Sequence, residues 1–202
     1  MTIDDRATVR VRPAIAAIRR DTDAIGFTMG SETGTGSLLR TLAAMKPGGR
    51  FLELGTGTGI GTAWLLSGMD AAARLDSVDS DSKVQAIARL HLGGDPRVRF
   101  HHADGSAFLA ASAPDSFDLV FADAWAGKFT DLDLALRLLR TGGVYVIDDL
   151  LPQPNWPAGH AAKVPALVDD LERREGFTTT MMAWASGLML VVKLQSEIQS
   201  SI

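Results

Sequence analysis

The stretch RFLELGTGTGIGTAWLLSGM, residues 50–69, decides the fold. Its first part, RFLELG (50–55), is a short apolar run and predicts a strand. Its last part, IGTAWLLSGM (60–69), predicts a helix. Between them lie Gly55, Gly57 and Gly59, which let the backbone turn sharply and approach a ligand without interference from a Cβ. The helix that follows offers unpaired N–H groups at its start. Strand, glycine turn and helix in this order open an α/β sheet, and such sheets bind ligands outside the carboxyl ends of their strands. The spacing narrows the ligand. A dinucleotide fingerprint needs G-x-G-x-x-G, but the sixth position counted from Gly55 as the first is Ile60, and counted from Gly57 it is Thr62. Glu53, two residues before the first glycine, would repel a pyrophosphate. It suits a cationic or zwitterionic ligand.

From residue 50 onward, short apolar runs alternate with helical patterns. Strands are predicted at 50–55, 75–79, 98–103, 117–123 and 144–148, with helices at 60–69, 82–92, 106–111, 129–140 and 163–175. The pair Gly142–Gly143 closes the fourth of these helices. This alternation implies a mostly parallel sheet covered on both faces. The last two strands, 177–184 and 188–194, are joined only by a short turn, ASG, and form an antiparallel pair. Two helical segments, about 8–20 and 35–45, precede residue 50, and the polar tail from 195 to 202 is expected to fray. One domain over residues 1–194 follows, with a helical cap at 1–48 and an α/β core at 49–194.

The 202-residue length suits a single domain with a full core. A net charge of −4 without a basic face argues against a nucleic-acid partner. Cysteine is absent, which removes disulfides and thiolate metal sites. No apolar run reaches the roughly 20 residues needed to span a bilayer. MTIDDRATVRVRP lacks the apolar centre of a signal peptide, so no membrane partner and a cytoplasmic location are expected.

Position along the sheet proposes ligand contacts. Asp79 ends the second strand, 22 residues after Gly57, where an acid can accept from both hydroxyls of a ribose. Asp104 and Gly105 follow the third strand at the height of an adenine, and Trp125, beyond the fourth strand, can stack on that ring. Asp123 ends the fourth strand. Asp148 ends the fifth with Asp149 beside it, so three carboxylates meet at one edge if those strands are neighbours. Like charges that close are costly unless neutralised.

Glu53-Leu-Gly-Thr-Gly-Thr-Gly59, Asp79, Asp104 and the terminal antiparallel pair together resemble the class I S-adenosylmethionine-dependent methyltransferases. FADAW (121–125), VIDDL (146–150) and the upstream FTMGSETGTGSLL (27–39) are similar to the small O-methyltransferases of the catechol and caffeoyl-coenzyme A type. The resemblance implies a Rossmann-like, doubly wound α/β fold with a seven-stranded, mostly parallel sheet and N-terminal helices. It implies S-adenosylmethionine as cofactor. Met29 and Ser31 would cover the methyl donor, and Thr56, Ser80 and Asp123 would join the glycines, Asp79, Asp104, Gly105 and Trp125 around it. It also implies a divalent cation. The resembling enzymes bind one through Asp, Asp and Asn, and the matching positions here are Asp123, Asp148 and Asp149. The third is one charge richer than that pattern, which moves the preference from Mg²⁺ towards Ca²⁺ or Mn²⁺.

Those enzymes carry a lysine three residues after the metal aspartate. Here that position is Ala126, and the nearest lysine is Lys128, which can serve as the base if Gly127 lets the loop bend. Asp123, His101, His102 and His160 are further candidates. The expected reaction is methyl transfer to a small hydroxylated, catechol-like substrate between walls formed by Phe27–Met29 and Trp156. A homodimer paired through the N-terminal helices is compatible with this. Three alternatives stand beside it: a metal-independent small-molecule O- or N-methyltransferase, a nicotinamide-dependent oxidoreductase, and a non-catalytic nucleotide-binding module.

Overall fold

The computed structural model describes residues 12–195. Residues 8–11 of the first expected helix and residues 196–202 of the expected tail lie outside them. The chain runs α1 (Pro13–Ala24), α2 (Thr33–Ala44), β1 (Arg50–Leu54), α3 (Ile60–Gly68), β2 (Arg74–Asp79), α4 (Ser82–Leu92) and β3 (Val98–His102). It continues through α5 (Gly105–Ala111), β4 (Phe117–Ala122), α6 (Leu132–Arg137), β5 (Leu139–Ile147), α7 (His160–Arg173), β6 (Phe177–Met182) and β7 (Leu188–Lys193). The seven strands form one sheet in the order β3-β2-β1-β4-β5-β7-β6. Five are parallel, and β7 joins β5 antiparallel before turning back into β6. The expected fold class is therefore the observed one.

The period-two alternation of the strands builds two cores. Leu52, Leu54, Val120, Ala122, Tyr145 and Ile147 face α5, α6 and α7, with Leu109, Leu136, Leu167 and Leu171 opposite them. Phe51, Leu119, Phe121 and Val146 face the other way, against Trp64, Leu65, Ile15, Ile18 and Leu39. Helix α3 is buried from Ile60 to Leu66. A helix apolar all round needs cover on its outer side as well, and α1 and α2 supply it. The cover fits closely: a Cβ at Gly36 of α2 would fall 2.1 Å from Cδ1 of Trp64.

One boundary differs from expectation. The helix expected at 129–140 shrinks to Leu132–Arg137, and β5 starts at Leu139 instead of 144. Leu138 and Leu139 are wholly buried, and the carbonyl of Leu138 accepts from the backbone N–H of Ser116 and of Phe117. Strand pairing thus captures a leucine run whose spacing also suits a helix. Gly142 and Gly143 lie inside β5, where the register with β4 shifts between Phe117 and Leu119. They mark a bulge rather than a helix end. Helix α1 also sits later than expected, with Pro13 in its first turn, where the missing N–H of proline costs nothing. Among the described residues, no helix is long and apolar enough to cross a membrane.

Candidate active site

The strand order reverses between β1 and β4, and a ligand crevice belongs at such a switch point. The two strand tips press together there. A Cβ at Gly55 would lie 2.4 Å from the carbonyl oxygen of Asp123. Over this point opens a cavity of about 690 Å³, within the size range of small-molecule sites. The segment joining α1 to α2, Phe27 to Glu32, lies along one side, and the loop after β5 closes the far end.

Of the residues predicted from sequence, Met29, Ser31, Gly55, Thr56, Gly57, Asp79, Ser80, Asp104, Gly105, Asp123, Trp125, Lys128, Asp148 and Asp149 all line this cavity. Asp79 holds the glycine turn in shape. One carboxylate oxygen accepts from N–H of Gly57 at 2.7 Å, and the other from N–H of Asp81 at 2.8 Å. Each oxygen keeps a lone pair for a further donor, as a ribose diol requires. Asp104 is less free than expected, since it caps α5 by accepting from N–H of Ala107 at 2.9 Å. Trp125 is partly exposed, with its ring edge-on to Phe129.

Two predicted contacts lie elsewhere. Gly59 does not line the cavity. A Cβ there would meet Ala88 of α4 at 2.7 Å, so this glycine serves helix packing. Glu53 is also away from the cavity wall, wholly buried beneath the turn. It accepts from the hydroxyls of Thr62 and Ser77. Because the one Ser77 hydrogen goes to Glu53, Thr56 donates to Ser77, and Gln85 donates in turn to Thr56. The chain of bonds ties Glu53 to the glycine turn, yet its Oε1 has no partner. Burial pushes this carboxyl up to about 7.

The reacting end gathers charge. Burial first, and then the charges of Asp148 and Asp149, hold the Asp123 carboxyl well above the carboxylate range. Burial, with Asp149 next, lifts Asp148 to about 6. Ser31 donates to Asp123 at 3.3 Å. Ser186, from the turn between β6 and β7, donates to Oδ1 of Asp148, which also accepts from N–H of Asp149 at 2.8 Å. Asp149 adopts a left-handed conformation, φ 61°. Its carbonyl accepts from Nε2 of His160 at 2.9 Å, and burial pushes that imidazole below its ordinary range. His160 stacks on Trp156, with ring centres 4.3 Å apart. His101 and His102 drop out as candidate bases, since neither lines the cavity; they bond Asp76 and the carbonyl of Ser80.

The residues meant for a divalent cation do not fit one. Among the described residues, no three His, Cys, Asp or Glu side chains stand together as a metal-ligand group. Sequence reasoning missed Ser186, Gln153 and Asn155. The last of these reaches from the loop after β5 to the lining segment, donating to the carbonyl of Thr28 at 2.8 Å. Ser186 is brought in by the distant β6–β7 turn, whereas Gln153 and Asn155 belong to the loop after β5 that carries Trp156.

Comparison with known proteins agrees with this geometry. A family described as a methyltransferase domain matches residues 52–150. A presumed O-methyltransferase of Mycobacterium marinum is 30% identical over 181 residues, covering 84% of this chain and 81% of the relative. The cofactor-bound Rv0187 protein of MTB superposes with a TM-score of 0.81 at 26% identity, over 95% of this chain and 94% of that one. The O-methyltransferase TomG of Streptomyces achromogenes, in complex with SAM, shares the fold with a TM-score of 0.79 at 23% identity, covering 93% and 92%.

Proposed function

The chain belongs to the class I S-adenosylmethionine-dependent O-methyltransferases, and on that premise we propose that it methylates a hydroxyl of a small, flat substrate held at the Asp123–Asp148 end of its cavity. The oxidoreductase and the non-catalytic nucleotide-binding alternatives fall with that membership. The observation that carries the proposal is the continuity of the cavity. It runs from the Asp79 carboxylate, a ribose acceptor pinned to Gly57, to the acids that follow β4 and β5.

When bound, S-adenosylmethionine supplies an electrophilic methyl group on a sulfonium. The residues fit such a donor: Asp79 offers two acceptor oxygens, Gly57 brings open backbone to the wall, and Asp104 to Ser106 with Trp125 border the outer end. The remaining task of the chain is to align the nucleophile and keep water away. Trp156, stacked on His160, gives the reacting end a flat apolar wall. Asp123 is placed to take the hydroxyl proton, since it follows β4 at the reacting end of the cavity, where burial and the charges of Asp148 and Asp149 raise its carboxyl. The substrate oxygen then bonds the methyl carbon as the carbon–sulfur bond breaks, and that electron pair returns to sulfur.

Isothermal titration with S-adenosylmethionine and with NAD tests the donor assignment. Binding of the first and none of the second is expected, and the reverse would refute it. Incorporation of labelled methyl groups into a panel of catechols and phenols tests the acceptor.

A further inference from the structure

A second cavity, of about 710 Å³, has no part in the site described above. Its walls are α1, most of the stretch from Phe27 to Gly34, and the β6–β7 turn from Ala183 to Ala185. Phe27, Thr28, Gly30, Ser31, Glu32 and Ile60 line both cavities. The shared wall touches the reacting end. Ser31 donates to Asp123 at 3.3 Å, and Ser186, the residue after Ala185, donates to Asp148.

The second cavity carries both signs of charge. Arg19 is half-buried in its wall, and its Nη2 donates to Oγ1 of Thr33 at 2.7 Å. Asp23 stands one helical turn beyond Arg19, where such residues can pair. Yet among the described residues neither Arg19, Asp23 nor Glu32 takes part in an ion pair. The Glu32 side chain does not cap α2 either. Trp184 is half-buried in the same wall, with its Nε1 3.1 Å from where a Cβ at Gly34 would fall. Ala185 holds φ 52°, a left-handed conformation uncommon for alanine, and strained backbone of this kind clusters at ligand sites. A guanidinium favours a carboxylate through charge-assisted bonds. Carboxylates together with an indole face favour an ammonium. One cavity holding both sets matches a zwitterion. Thr33, which holds Arg19, follows Ser31, which bonds Asp123, by two residues, so at most about 7 Å of chain separates them. A hydroxylated ring at Asp123 can therefore carry a short side chain into the second cavity.

We propose that the acceptor is a phenolic α-amino acid, with its ring at Asp123 and its zwitterionic head in the second cavity. Arg19 takes the carboxylate, Asp23 and Glu32 take the ammonium, and Trp184 walls the head. The head is chemically unchanged by the reaction. The ring hydroxyl gives its proton to Asp123, and its oxygen bonds the methyl carbon as that carbon leaves the donor sulfur. The role as acceptor rests on the methyltransferase reading above; the affinity of the second cavity for the head does not.

The test uses 3,4-dihydroxyphenylalanine and three analogues that lack part of its head: the amine without the carboxylate, the propionate without the ammonium, and catechol. Titrated into the wild type without donor, the amino acid should bind at least about tenfold more tightly than each analogue, as the loss of one charge-assisted bond implies. Arg19→Met should abolish its advantage over the amine, and Asp23→Asn combined with Glu32→Gln its advantage over the propionate. Arg19→Gln is the second variant should Arg19→Met fail to fold, and a cooperative thermal transition reports the integrity of each. Equal binding of all four compounds, or variants that keep both preferences, would overturn the proposal. In a second arm, methyl transfer at saturating donor should rank the compounds in the same order by kcat/KM, with the difference carried by KM. Turnover of catechol in preference to the amino acid would overturn the proposal as well. Failure of the donor to bind would instead sink the methyltransferase reading and leave the comparison of affinities to decide for the second cavity.

Discussion

Replacing Glu53 with glutamine should remove a pH dependence from the stability of the fold. Glu53 is wholly buried, with one oxygen unpartnered, and its carboxyl rises from an ordinary 4.5 to about 7. A raised acid is held preferentially in its neutral form by the folded state. As pH climbs past 4.5 the unfolded chain releases this proton while the folded one retains it. Stability therefore falls between pH 4.5 and 7 and levels off above 7. At about 1.4 kcal/mol for each pH unit between the two values, the loss comes to about 3 kcal/mol. Glutamine has nearly the same shape and no charge, and its oxygen still accepts from Thr62 and Ser77. Urea unfolding of both proteins without cofactor, at pH 5 and pH 8, measures the effect. The advantage of the variant over the wild type should grow by about 3 kcal/mol across that interval. Parallel pH profiles would refute the reasoning, because they would mean that Glu53 ionises equally in both states.

Three further outcomes are expected. Asp79→Ala should weaken donor binding by about 1.5–3 kcal/mol, the range for hydrogen bonds to a charged group, and titration at constant salt would read it; unchanged affinity removes Asp79 from the ribose site. Gly127→Ala forces a Cβ onto Leu54 and Tyr145 at a positive φ, so thermal unfolding should report a loss of about 1–3 kcal/mol. Thr22→Val breaks the buried 2.8 Å bond between the hydroxyls of Thr22 and Thr58, which should cost about 1 kcal/mol and lower Tm; an unchanged Tm would show that the bond contributes nothing.

The sheet was legible because its strands are short runs of β-forming residues, most of them bounded by glycine, aspartate or proline. The α6–β5 boundary was not. Leu136, Leu138 and Leu139 satisfy a helical period and a buried strand alike, and only pairing with Phe117 decides between them. Glu53 was misplaced for a reason that the sequence does contain. Period-two alternation puts it on the same strand face as Phe51, towards α3, and not at the strand tip where the cavity opens. Gly59 could equally have served a ligand or a helix, and only the proximity of Ala88 separates the two. Lys128 was conditionally legible, since the glycine before it permits the bend that turns it inward. Ser186 was invisible because it reaches Asp148 from the β6–β7 turn.

Helix α3, buried from Ile60 to Leu66, links the fold to the function. Because its outer side is as apolar as its inner side, α1 and α2 must pack over it, and the chain between them must cross the glycine turn. That crossing is the segment Phe27–Glu32, which lines the cavity. Core burial and enclosure of the ligand are thus accomplished by one stretch of chain. Its two ends are fixed. Ile15, Ile18 and Thr22 are buried on one side, and Thr35 and Leu39 on the other. Between those ends Gly26 takes φ 68° with open space around it. The bond from Asn155 to the carbonyl of Thr28 ties this segment to the loop that carries Trp156. A displacement of this segment would therefore also disturb the cavity wall that Trp156 forms.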